Sequence, residues 1–197
     1  MCIKNKLMKN LLSLIFIVFV FSETKAENII PIIEGDKNAV IKIKIYESMT
    51  CRHCADFHTK VYPNLKKEFI DEGIVSIEFK NFPLDLAALN ASKLVYCKNN
   101  GKSEIMHFLY KKQSEWVKGN NIMDINNNLK NIIESKFNLN FEKCLNNKII
   151  ENYILEDRIS GSKKYEIQST PTLIINDKKF NKSLNFKNLK KTIKKML

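Results

Sequence analysis

Residues 40–54 read VIKIKIYESMTCRHC, and the reading of this stretch decides the fold. From 40 to 46 apolar residues alternate with lysine at period two, which predicts a strand with one solvated or partly covered face. The strand runs directly through Glu47-Ser48-Met49-Thr50 into Cys51-Arg52-His53-Cys54. Beyond it Phe57, Val61, Leu65 and Phe69 recur at helical spacing, with Pro63 expected to kink or interrupt the helix and Gly73 to end it. Residues 74–79, IVSIEF, predict a second strand, followed by a breaker at 81–85, NFPLD.

Outward from there the pattern changes. From Leu86 to about Lys164 strand signals nearly vanish, and Leu86-Ala87-Ala88-Leu89, Leu94-Val95, Ile105-Met106 and Ile149-Ile150 sit in helix-forming context. The clusters Asn99-Asn100-Gly101 and Gly119-Asn120-Asn121 separate these helices, and the run Asn126-Asn127-Asn128 reads as a loop or a poor helical turn. Strand character returns at Thr172-Leu173-Ile174-Ile175 after Ser169-Thr170-Pro171, then comes a turn at Asn176-Asp177, a short Lys178-Lys179-Phe180 segment and a final helix from about Leu184. Phe186, Leu189, Ile193 and Met196 fall on one face of that helix. A helix docking on a sheet needs such a stripe, as does one lying on a membrane surface, and docking is the simpler reading.

The chain has 197 residues, with 33 Lys+Arg against 21 Asp+Glu for a net charge of +12. Only 5 Gly and 4 Pro exclude collagen-like and flexible low-complexity classes. The basic excess is dispersed lysine with no stripe interleaved with aromatics, so no nucleic-acid partner is expected. Residues 1–26 carry the parts of a cleaved signal peptide: Lys4, Lys6 and Lys9, an apolar run at 11–21 broken only by Ser13, and Thr24-Lys25-Ala26 as a cleavage site. A run of eleven residues falls short of the roughly 20 that span a bilayer. Cleavage after Ala26 removes Cys2, leaves 171 residues and lowers the charge to +9, since four Lys and one Glu go with the signal. Four cysteines remain, Cys51, Cys54, Cys97 and Cys144, and they allow three pairings in an oxidising compartment.

A CxxC opening a helix after a strand is the architecture of a redox dithiol. The unpaired N–H groups and partial positive charge of the helix start favour a thiolate at Cys51. Arg52 and His53 add a fixed and a titratable positive charge, expected to tune the Cys51 thiolate below its free value of about 8.5. A stabilised thiolate makes the disulfide form an oxidant. Cys54, one turn in, is placed to resolve a mixed disulfide. Haem attachment needs His where Ala55 stands, and zinc needs more soft ligands than this region has. Copper on Cys51, Cys54 and His58 is a minor alternative, while His58 reads most simply as a surface or half-buried helix residue. A structural staple is disfavoured, because it would close only a very short loop.

The series VIKIKIYESMT, CRHCADFH, NFPLD, a distant helical block and STPTLIIND resembles the bacterial DsbA-like thiol-disulfide oxidoreductases, over essentially the whole chain after the signal. The resemblance implies an α/β thioredoxin fold with an inserted all-helical domain: 27–84 and 165–197 thioredoxin-like, 85–164 inserted. It implies a cis Thr170-Pro171 bond that exposes backbone for an extended substrate strand beside Cys51. The family's buried acid six residues before the first cysteine is replaced here by Ile45, and Glu47, two residues later, is expected to point differently. The dipeptide is Arg-His rather than the commoner Pro-His. Thr170 before the proline resembles the isomerase branch as much as the oxidase branch.

The activity so implied is that of a periplasmic, monomeric oxidase that needs no cofactor or metal and introduces disulfides into reduced, unfolded exported proteins. Reoxidation by a quinone-linked DsbB-type membrane partner is implied with it. A disulfide isomerase or reductase on the same fold is the alternative, and a metal-binding thioredoxin-like module is the rival of another class. Because the active pair must cycle, Cys97 and Cys144 are expected to form a structural disulfide.

Overall fold

A computed structural model describes residues 28–197; the expected signal segment 1–26 and Cys2 lie outside the described residues. Five strands form one mixed sheet: β1 (Ile32–Glu34), β2 (Ile41–Glu47), β3 (Val75–Asn81), β4 (Thr172–Ile175) and β5 (Lys178–Lys179), in the order β1-β3-β2-β4-β5. β2 and β3 run parallel, while β1 on β3, β4 on β2 and β5 on β4 are antiparallel. The parallel pair needs a crossover, and residues 52–70 supply it.

That crossover is a continuous helical rod built of α1 (Arg52–Asp56), a π turn (Phe57–Val61), α2 (Tyr62–Leu65) and a second π turn (Lys66–Ile70). Pro63 therefore does not end the helix. The π turn closes just before it, so Pro63 falls in the first turn of α2, where a missing N–H leaves no ladder bond broken. Phe57, Leu65 and Phe69 are buried, as their spacing predicts, against Ile41, Ile43 and Ile45 of β2.

Between β3 and β4 come α3 (Leu86–Tyr96), α4 (Glu104–Lys111), α5 (Gln113–Trp116), α6 (Ile122–Phe137), α7 (Phe141–Leu145) and α8 (Lys148–Tyr165). Of the two clusters that read as breakers, the second ends in a helix cap, Asn121, and further asparagines do the same work. Asn121, Asn140 and Asn147 each accept backbone N–H bonds at the starts of α6, α7 and α8. The run Asn126-Asn127-Asn128, expected as a loop or a poor helical turn, lies inside α6. Its cap at Asn121 and the buried Leu129, Ile133 and Phe137 outweigh the low helix propensity of asparagine.

The period-two pattern of β2 sorts the two sheet faces. Ile41, Ile43, Ile45 and Glu47 share one face, over the 52–70 rod and α9 (Phe186–Lys194). Tyr46 joins Phe82, Ile167 and Ile174 in a smaller apolar cluster on the other, where α8 packs. Leu189 and Ile193 of α9 are fully buried, and Phe186 packs against Phe69 of the rod, so the terminal stripe serves docking on the sheet.

Candidate functional site

Cys51 is the N-cap of α1, and its carbonyl receives the N–H groups of Cys54 at 3.1 Å and Ala55 at 3.2 Å. That geometry leaves the first-turn N–H groups facing the Cys51 sulfur. The loop before it is pinned from three sides. Ser48 Oγ accepts the Leu84 N–H, Thr50 Oγ1 donates to Asp85 at 2.7 Å, and Gln113 donates to the carbonyls of Met49 at 2.8 Å and Cys51 at 3.0 Å. Gln113 was invisible as a site residue in the sequence, since nothing in its local pattern links it to a loop more than sixty residues earlier.

The two thiols differ sharply. Both are free; Cys51 is partly exposed and Cys54 is buried. The Cys54 thiol hydrogen-bonds the Cys51 sulfur and, against the desolvation that burial imposes, does most to lower the Cys51 pKa to about 5; Thr170 and the N–H groups of Cys54 and His53 add to it. The Cys54 thiol is held far above its ordinary range by burial first, then by the Cys51 sulfur and the Glu47 carboxylate. Arg52 and His53, expected as charged tuners, are both exposed, and the part of His53 that lowers the Cys51 pKa is its backbone N–H.

Thr170-Pro171 is a cis peptide. The Cys51 thiol donates to the Thr170 carbonyl at 3.3 Å, and the Thr170 hydroxyl is buried without another hydrogen-bond partner. A groove of about 560 Å³ starts at this pair and is lined by His53, Phe57, Pro171, Leu184 and Phe186 among others. Its wall is thus partly apolar, with backbone beside the exposed sulfur.

Two readings need correction. Glu47 does not point away from Ile45: strand residues two apart share a face, and Glu47 is buried on the side of Cys54. His58 is 6 % exposed, neither a surface nor a half-buried residue, because the π turn rotates it inward. Its Nε2 lies 2.8 Å from Glu47 Oε2 and its Nδ1 2.9 Å from His107 Nδ1, so both ring nitrogens are engaged. A metal site on Cys51, Cys54 and His58 loses its nitrogen ligand to that pairing. Cys97 and Cys144 are joined, with Cα atoms 5.4 Å apart.

The sequence matches the family described as Thioredoxin over residues 27–195. In the solved structures, alpha-DsbA1 of Wolbachia pipientis superposes with a TM-score of 0.76 at 28% identity, covering 84% of this chain and 90% of that one. Oxidised BdbD of Bacillus subtilis superposes with a TM-score of 0.72 at 22% identity, over 84% of this chain and 92% of that one, which shows the shared fold. The disulfide bond formation protein D of Bacillus subtilis is 27% identical over 173 residues, 83% of this chain and 75% of that protein. A relative from Rickettsia conorii, provisionally named a protein-disulfide oxidoreductase, is 25% identical over 146 residues. The chain spans about half the length of such rickettsial relatives, 52% in that case, from a match over 72% of its own length.

Proposed function

The chain belongs to the thioredoxin family, and from that membership we propose that it is an exported thiol-disulfide oxidoreductase that gives its Cys51–Cys54 disulfide to reduced proteins. The observation that carries the reading is the asymmetry of the two sulfurs. Cys51 is half-exposed with a pKa lowered to about 5, while Cys54 is buried with its thiol form favoured. In the forward reaction a substrate thiolate attacks the exposed sulfur, the Cys51–Cys54 bond breaks and Cys54 leaves with the electron pair. A second substrate thiol then attacks the substrate sulfur and expels Cys51 as a thiolate already stable at neutral pH. The backbone at Thr170-Pro171 and the adjoining groove suit an extended, partly apolar chain.

The division into a thioredoxin-like part, 27–84 with 165–197, and a helical insertion, 85–164, belongs to this proposal, as does the structural role of the Cys97–Cys144 bond. So do periplasmic location through the 1–26 signal and turnover by a quinone-linked DsbB-type partner. Among the described residues no helix is long and apolar enough to cross a membrane. The deciding experiment is a redox titration of the Cys51/Cys54 pair against glutathione, together with oxidation of a reduced, unfolded protein. An oxidase has a potential near that of the strong oxidants, about −120 mV, and transfers its disulfide stoichiometrically. A potential near about −270 mV would instead mark a reductase. Efficient repair of a scrambled substrate would mark the isomerase alternative.

A further inference from the structure

The lysines are scattered along the sequence, but their excess over acids is not. Residues 163–197 hold ten lysines against two acids, Glu166 and Asp177, a net charge of +8, whereas residues 27–162 hold 19 basic and 18 acidic residues, a net +1. Nearly all of the +9 left after signal cleavage therefore belongs to the end of α8, the β4–β5 hairpin and α9. All ten lysines except Lys190 are exposed.

The fold brings most of these lysines to one edge of the sheet. β5 is the edge strand beyond β4, and Lys178 and Lys179 are its two residues. On α9, Lys187, Lys191, Lys194 and Lys195 share the face opposite the buried Leu189 and Ile193. Between strand and helix runs a groove of about 270 Å³, to which Ile175, Phe180 and Met196 contribute apolar surface and Lys178, Lys179 and Lys182 contribute charge. Lys182 Nζ donates to Thr192 Oγ1 at 3.3 Å and so links the two elements. Docking of the helix on the sheet uses Leu189 and Ile193 but leaves Met196, the last of that stripe, 39 % exposed.

The neighbouring acids do not neutralise the groove. Asp177 lies 3.6 Å from both Lys44 and Lys164 and accepts the Tyr165 hydroxyl at 2.6 Å, while Glu68 on the rod takes Lys190 at 2.6 Å. Among the described residues no carboxylate comes within ion-pair distance of Lys178, Lys179, Lys182, Lys191 or Lys195. Like charges gathered beside an apolar groove repel one another and gain by meeting an anionic partner. An anionic bilayer answers both features, with phosphates for the ammonium groups and acyl chains for the apolar lining. A single-stranded nucleic acid would need stacking rings, and the groove offers only the half-buried Phe180 among its lining residues.

We propose that this edge, β5 with the lysine face of α9, seats the protein on the surface of an anionic phospholipid bilayer. The seat does not depend on the dithiol reading, and it lies away from the dithiol. Leu184 and Phe186, around the start of α9, line the groove beside Thr170-Pro171, whereas Thr192 and Met196, around its end, line the basic one. The nine residues of α9 set the two grooves about 13 Å apart along the helix axis. Seated there, the protein keeps Cys51 open to chains in solution.

The test is flotation of the chain from Glu27 onward, the form expected after signal cleavage, with vesicles of equal parts phosphatidylethanolamine and phosphatidylglycerol or of phosphatidylcholine alone. Binding to the first and not the second is expected, falling steeply between about 0.05 and 0.5 M salt. Each lysine at an anionic surface is worth roughly fivefold in binding. Lys178→Glu/Lys179→Glu/Lys182→Glu should therefore lose at least about a hundredfold and Lys191→Glu/Lys195→Glu at least about tenfold. Lys102→Glu/Lys118→Glu/Lys143→Glu makes the same change in net charge as the first variant on exposed lysines of the helical segment, and should stay within about threefold of the unaltered protein. A Cys51 midpoint still near 5 marks an intact fold, and because the two seat variants alter different elements, one that misfolds leaves the other to decide. No binding to the anionic vesicles would overturn the seat, and so would an equal loss in the control variant, since net charge without a placed surface would then explain the binding. Displacement by free glycerol phosphate would reduce the groove to a small-anion site. Capture by polyglutamate without vesicle binding would assign the edge to an acidic protein. Either result overturns the lipid seat.

Discussion

Cys51 shows how little charge a thiolate needs when its hydrogen bonds are arranged for it. The largest contribution to its lowered pKa comes from the Cys54 thiol, with Thr170 next among the side chains. Cys54→Ala should therefore raise the Cys51 midpoint above about 5 by more than Thr170→Val does, read from thiolate absorbance near 240 nm. An unmoved midpoint in Cys54→Ala would show that the helix start alone holds the thiolate. A second consequence concerns stability. A folded pKa of about 5 lies below the unfolded one, so the thiolate stabilises the reduced fold fully above about pH 8.5, and that stabilisation fades as pH falls to about 5. The disulfide form has no such group. Urea midpoints of the reduced protein should rise between pH 5 and pH 8.5 relative to those of the oxidised protein. Parallel curves for the two forms would contradict the lowered pKa.

At the scale of elements, the seam between α8 and the sheet is a close fit. A Cβ on Gly161 would stand 2.5 Å from Tyr46 Cε1, and the Tyr46 ring belongs to the closed cluster with Phe82, Ile167 and Ile174. Gly161→Ala should gain some helix propensity but lose more to overpacking, for a net destabilisation of about 1 to 3 kcal/mol in thermal or urea unfolding. An increase in stability would mean that the ring can step aside.

The elements also show what the sequence could convey. β2, the CxxC turn, the rod and the late strand at 172–175 were legible because each carries its own period or turn chemistry within a dozen residues. β1 was not, because three residues at an edge have no period to read. The clusters at 99–101 and 119–121 were recognised as boundaries without the capping role of Asn121, and the run at 126–128, read as a loop or a poor helical turn, is held in its helix by that cap and by tertiary contacts. In the site, the dithiol and Thr170-Pro171 stood out as motifs. Gln113 and the His58–His107 contact did not, since each joins segments dozens of residues apart. Glu47 needed only the period-two rule applied to its own strand.

At the scale of the whole molecule, the helical segment between β3 and β4 does two mechanical jobs. Through Gln113 it fixes the carbonyls of Met49 and Cys51, and through Cys97–Cys144 it closes on itself, tying the C-cap of α3 to α7. The bond joins residues 47 apart, so chain entropy assigns it about 4 kcal/mol, reduced by whatever structure the unfolded chain retains. The groups that lower the Cys51 pKa, namely Cys54, His53 and Thr170, all lie outside this segment. The two effects should therefore separate. Cys97→Ala/Cys144→Ala is expected to lose about 2 to 4 kcal/mol in urea unfolding while its Cys51 midpoint stays near 5. Gln113→Leu should do the reverse, since it leaves the bond intact but frees two carbonyls beside the thiol: a smaller stability loss, and a changed Cys51 midpoint and disulfide-transfer rate. If removing the bond shifts the Cys51 midpoint as much as Gln113→Leu does, the segment is acting as one rigid support for the dithiol and the bond is part of the redox machinery.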